Sequence, residues 1–166
     1  SVDDMVGSLA ERLKADPDDV DGWKMLGRSY TVMRRFDDAV TALERAVELE
    51  DSADGQTLAD LGEAVFLNDN NQLNGRAAQL FESSLALVPG NPKALFYSGL
   101  AAANRGDTAL AADRWEALLA TSPPPEIEST LRQRIAEWRG EAPPAQPAPQ
   151  PVADRPDGDV SVTVAV

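Results

Sequence analysis

Trp23-Lys24-Met25-Leu26-Gly27-Arg28-Ser29-Tyr30, followed by Ala39 and Leu43, decides how the rest of the chain is read. The order W-x2-L-G-x2-Y, then A-x3-L, predicts two helices, over about 20–33 and 37–49, joined by the turn Arg34-Arg35-Phe36. Trp23, Leu26, Gly27 and Tyr30 hold the first helix in its stack, and Phe36, Ala39, Leu43 and Ala46 are packing positions after the turn. Lys24 and Arg28, set between the packing residues, are left for another partner.

This pattern resembles the signature of tetratricopeptide (TPR) repeats, with Leu43 in place of the last aromatic. Placing Trp23 at position 4 of a 34-residue unit makes Val20–Ala53 the first full repeat. A third repeat is read backwards from Pro123: Gly99, Gly106-Asp107, Ala111 and Trp115 fall at the expected places, and Asn91-Pro92 opens its first helix. Between them, Leu61-Gly62 repeats Leu26-Gly27, and Ala77, Phe81 and Pro89 repeat the second-helix spacing. These halves fit one repeat, over roughly 55–91, if the Asn-rich segment Asn68–Gly75 is a lengthened turn. Met5, Leu9 and Leu13 mark one face of a leading helix over 3–15, the second helix of a partial repeat ending at Asp16-Pro17. Ile127, Leu131, Ile135 and Trp138 mark a capping helix over 126–138, which a solenoid needs to cover its last apolar face.

The expected fold is therefore all-α: a TPR solenoid over 1–140 of three repeats, a leading half-repeat and a cap. Residues 141–159 hold six of the chain's twelve prolines and read as a semi-rigid linker. Residues 160–166, Val-Ser-Val-Thr-Val-Ala-Val, alternate like a strand and read as the first strand of a further domain. The start at Ser1, without Met or signal peptide, reads as a fragment of a longer polypeptide.

Composition narrows the function. The formal charge of −13 argues against nucleic acid and against an anionic membrane surface, both of which call for a basic face. With no His and no Cys, neither an imidazole base, a thiolate nucleophile nor a His/Cys metal site can be built. Asn70-x-Gln72-x-Asn74-Gly75 imitates half of a calcium loop, but Phe81 stands where the bidentate Glu belongs. No catalytic residue, metal or cofactor is expected, and no run of about twenty apolar residues could span a bilayer.

Recognition is the remaining class. In TPR arrays the concave surface is lined by fixed positions of each first helix. Here these include Lys24, Arg28 and Thr31, then Ala59, Glu63 and Phe66, then Lys93, Phe96, Leu100 and Asn104. The three cations would take acidic groups or a terminal carboxylate, and Phe66, Phe96 and Leu100 would take apolar anchors of a peptide or helix. The set resembles part of the carboxylate clamp of chaperone-binding TPR proteins: Lys24 and Lys93 match it. Arg28, Asp60 and Tyr97 depart from it, so the clamp is incomplete.

The order of parts is more specific than any one repeat. A half-repeat Leu9-Ala-Glu-Arg-Leu-Lys-Ala-Asp-Pro17 leads into Gly22-Trp23 and Leu26-Gly27-Arg28-Ser-Tyr30. The long-turned middle repeat follows, then Asn91-Pro92-Lys93-Ala94-Leu95 and Trp115-Glu116. Over about residues 5–140 this resembles the periplasmic TPR domain of the CycH/CcmI family of c-type cytochrome biogenesis proteins, related to NrfG. The resemblance implies a non-catalytic subunit of the haem lyase machinery that captures the C-terminal helical part of apocytochrome c for haem attachment. It further implies a periplasmic location, other subunits of the haem ligation complex as partners, and a parent protein held in the inner membrane by N-terminal helices. The alternative is an assembly scaffold that docks another subunit of a membrane complex.

Overall fold

The computed structural model describes residues 1–142 and 145, apart from Ala53. Among them are eight helices and no strand: α1 (Val2–Ala15), α2 (Val20–Val32), α3 (Phe36–Leu49), α4 (Gly55–Asn68), α5 (Arg76–Leu87), α6 (Pro92–Asn104), α7 (Thr108–Leu119) and α8 (Pro125–Arg139). The linker expected over 141–159 and the strand over 160–166 lie outside the described residues, save 141, 142 and 145.

Helix starts follow local chemistry. Ser1 and Asp4 form a capping box on α1, and the carboxylates of Asp19, Asp54 and Asp107 accept backbone N–H groups that open α2, α4 and α7. Asn91 does the same for α6, with Pro92 at the first helical position, where a missing N–H costs nothing. Consecutive helices pack as antiparallel neighbours, and α2, α4 and α6 also touch in a row that forms one face of the stack.

Inside each repeat a glycine lets the two helices approach. Gly27 lies against Leu43 and Gly99 against the Trp115 indole, while a Cβ on Gly62 would come within 2.8 Å of the Phe81 ring. Phe81, Leu43, Leu95 and Leu131 are fully or almost fully buried. Each removes a large apolar side chain from water, worth about 2 kcal/mol. An aromatic chain carries the core forward: Phe81 stacks on Tyr97 at 4.8 Å, Phe96 stacks on Trp115 at 5.4 Å, and Trp115 meets Trp138 edge-on at 4.7 Å. Trp115 Nε1 also donates to the Phe96 carbonyl at 3.0 Å, which fixes the indole.

The long middle turn spans 69–75, where Asn70 and Asn71 adopt left-handed backbone at φ 52° and 61°. Asn tolerates that region better than most residues, so the Asn cluster is turn chemistry.

Two expected faces are rotated. In α1 the buried side chains are Val6 and Leu13, which pack towards Leu26 and Trp23, whereas Met5 is 67% exposed. In α8, Leu131, Ile135 and Ala136 are buried and Ile127 is largely exposed. Each end helix has a neighbour on one side only, so part of an apolar stripe remains uncovered.

Candidate functional site

The row of first helices α2, α4 and α6 carries the residues expected to line a groove, and a ladder of charged side chains links them. Lys24 Nζ bonds Glu50 and lies 3.1 Å from Asp54 Oδ2. Arg28 Nε donates to Asp60 Oδ2 at 2.6 Å, and Lys93 Nζ donates to Asp60 Oδ1 at 2.8 Å and to Glu63. Gln56 donates to Asp60 Oδ1 at 2.8 Å and accepts from Asn91 Nδ2 at 2.8 Å. The Tyr97 hydroxyl donates to Glu63 Oε1 at 3.1 Å. Asp60 sits at the centre, its side chain 5% exposed.

Burial in this seam pushes Asp60 towards the neutral acid, but hydrogen bonds from Lys93 and Arg28 outweigh it and leave its carboxyl below the ordinary range. Burial likewise works against the Lys93 ammonium, and Asp60 and Glu63 more than compensate, raising its pKa. Lys24 is raised, first by its hydrogen bond to Glu50. Burial, reinforced by the Glu63 charge, raises the Tyr97 phenol well above its usual value.

This arrangement changes the reading of the expected clamp. Lys24, Arg28 and Lys93 each face a carboxylate of this chain, and the ladder sets three cations against four carboxylates. A partner's carboxylate would have to displace an internal one. Ala59 does not line an open surface at all: it is fully buried, because α4 is enclosed by α2, α3, α5 and α6. Phe66, Phe96 and Leu100 are half-buried beside the ladder, and Phe66 and Phe96 both lean on Tyr97, at 5.1 and 5.2 Å. Glu63 and Thr31 are half-buried, the Thr31 hydroxyl donating to Gly27 O at 3.0 Å, and Asn104 is exposed at the end of α6.

Glu50 and Asp54 were not singled out in the sequence, Asn91 was read only as the start of α6, and Asp60 was not read as a hub. Asp60 did carry a signal: a lone carboxylate within Leu58-Ala59-Asp60-Leu61 has to be paired if its helix is buried. Glu50 and Asp54 reach Lys24 from the connection between repeats, which the repeat pattern does not describe.

Stacked helix pairs with an open row of first helices define a TPR-type interaction scaffold. Residues 2–127 match the cytochrome c-type biogenesis protein H TPR domain, and the chain belongs to that family. It is similar to the cytochrome c-type biogenesis protein CycH of Bradyrhizobium diazoefficiens, 32% identical over 136 residues, covering 79% of this chain and 37% of the relative. CycH of Pseudomonas aeruginosa is 29% identical over 157 residues, covering 90% and 38%. The chain thus spans a little over a third of the length of these curated relatives. In fold it is similar to the crystal structure of MamA, with TM-score 0.69 at 23% identity, covering 84% of this chain and 77% of that one. It is also similar to the Cut9-Hcn1 hetero-tetramer of the APC/C, with TM-score 0.66 at 19% identity, covering 84% and 27%.

Proposed function

We propose that this domain is a non-catalytic, peptide-binding module of c-type cytochrome maturation that captures the C-terminal part of apocytochrome c for haem attachment. The observation that carries the reading is the family match over 2–127, on a fold whose open helix row offers apolar anchors beside a charged ladder. The domain works in the periplasm, as part of a parent protein held in the inner membrane, beside other subunits of the haem ligation complex.

Phe66, Phe96 and Leu100 take the apolar face of an amphipathic helix, and Thr31 and Asn104 lie towards the carboxyl ends of α2 and α6. The ladder's surplus carboxylate, in a chain of net charge −13, favours a partner helix with Lys or Arg between its apolar anchors over one presenting a carboxylate. The long-range part of this attraction, from the net charge of −13, is screened by salt. Immobilised chain should retain haem-free apocytochrome c and release it at high ionic strength. Retention of haem lyase subunits without apocytochrome would favour docking of another subunit instead.

A further inference from the structure

An asparagine loses its side-chain amide when the backbone nitrogen of the next residue attacks it. That nitrogen has to be free of other bonds, and its peptide plane has to be free to turn. Six asparagines occur in the chain, and the fold ties down the nitrogen that follows most of them. After Asn68, Asp69 N donates to Val65 O at 2.9 Å, and after Asn70, Asn71 N donates to Phe66 O at 2.9 Å. After Asn71, Gln72 N donates to Asp69 O at 3.2 Å, and after Asn104, Arg105 N is shared by Ala101 O and Ala102 O. Asn91 is buried as the cap of α6, and Pro92 after it has no N–H to lose.

Asn74 differs from all of these. Among the described residues, nothing accepts from the Gly75 N–H and no backbone N–H donates to Asn74 O, so the plane between them is held at neither end. Both residues are exposed, and no atom lies within 4 Å of where a Cβ on Gly75 would stand. Gly75 brings no side chain to hinder the attack, and its φ of 63° is one that glycine adopts without strain.

We propose that Asn74-Gly75 is a site of spontaneous deamidation built into the middle turn. The Gly75 nitrogen gives up its proton and bonds Asn74 Cγ. The Cγ–Nδ2 bond breaks, and the side-chain nitrogen leaves as ammonia. Water then opens the five-membered succinimide at either carbonyl, giving aspartate, or isoaspartate with the backbone rerouted through the side-chain carbons. One water enters and one ammonia leaves, and no oxidant or enzyme is needed.

Either product sets a new carboxylate just ahead of α5. Of the eight helices described, α5 alone begins with neither a side-chain cap nor an acidic residue in its first turn, apart from α6, which Asn91 caps. A negative charge there faces the positive end of the helix.

Ageing the folded 166-residue chain in warm, mildly alkaline buffer tests this. Tandem mass spectrometry locates each conversion, and labelling by an isoaspartyl methyltransferase counts the isoaspartate. Asn74 should convert about tenfold or more faster than any other asparagine, because its attacking nitrogen has no hydrogen bond to break first. The rate should fall in mildly acid buffer, where that nitrogen keeps its proton. Asn74→Gln, which would need a six-membered ring, should stay intact. In urea, Asn70, Asn71 and Asn104 should speed up as their neighbours' hydrogen bonds are lost, whereas Asn74 should change little. An Asn74 amide that survives in the folded chain but converts in urea overturns the proposal. So does another asparagine that converts as fast in the folded chain. Asn74→Asp should raise the thermal midpoint of unfolding, and a midpoint no higher than the parent's overturns the benefit assigned to α5.

Discussion

Lys93 Nζ and Asp60 Oδ1 lie 2.8 Å apart across the α4–α6 contact, while Arg28 reaches the other oxygen of the same carboxylate from α2. One buried acid of the middle repeat thus takes a cation from each flanking repeat. The row of first helices is held by charge pairing as well as by apolar packing.

Replacing Asp60 leaves Lys93 and Arg28 short of a partner in a partly dry seam. Asp60→Ala should cost about 3 kcal/mol in urea unfolding. Breaking the exposed Arg132–Glu128 pair on α8 by Glu128→Ala should cost about 0.5 kcal/mol or less. Equal effects would remove the hub role of Asp60.

The pH profile follows from the same seam. The folded pKa of Asp60 is lowered, so its contribution is fully present above the unfolded value of 3.8 and is lost as pH falls through the lower folded value. Lys93 is raised, so its contribution is fully present below 10.5 and is lost as pH rises through the higher folded value. Between these limits the two groups give a plateau. Urea midpoints followed from pH 7 into acid should fall less steeply in Asp60→Asn than in the parent chain.

Two glycines should respond with opposite signs. A Cβ at Gly99 meets the Trp115 indole, which is pinned by Phe96 and Trp138, so Gly99→Ala should destabilise by about 1–3 kcal/mol. Around Gly7, in the middle of α1, nothing lies within 4 Å, and Gly7→Ala should stabilise by about 0.5–1 kcal/mol. Thermal unfolding of both variants measures the pair.

The turn between α2 and α3 offers a third handle. Arg34 is held at φ 60°, at the place where the third repeat uses Gly106 at φ 81°. A left-handed non-glycine residue costs about 1 kcal/mol. Arg34→Gly should recover part of that cost, less what is lost from the Arg34 contact over the Phe36 ring. A lower unfolding midpoint would show that the contact outweighs the backbone.

Most of the helical order was legible in the sequence because repeat packing is local. Trp23, Leu26, Gly27 and Tyr30 fix one helix pair, and the same spacing finds the others even across the long Asn-rich turn. The rotated faces of α1 and α8 were not legible, since an apolar stripe does not say which of its edges has a neighbour. The candidate site was half legible: position within the repeat placed Lys24, Arg28, Lys93, Phe66 and Phe96 on the helix row. Their pairing with Glu50, Asp54, Asp60 and Glu63 depends on how far adjacent repeats slide, which spacing in one chain does not encode.

The central claim is that this domain recognises an apocytochrome helix, and calorimetric titration of the 166-residue chain tests it most directly. The titrant is a synthetic peptide carrying the C-terminal helix of an apocytochrome c. Saturable one-to-one binding is expected, weakened by added salt and weakened about tenfold by Phe96→Ala. No binding at millimolar peptide, by heat or by competition with full-length apocytochrome, would contradict it.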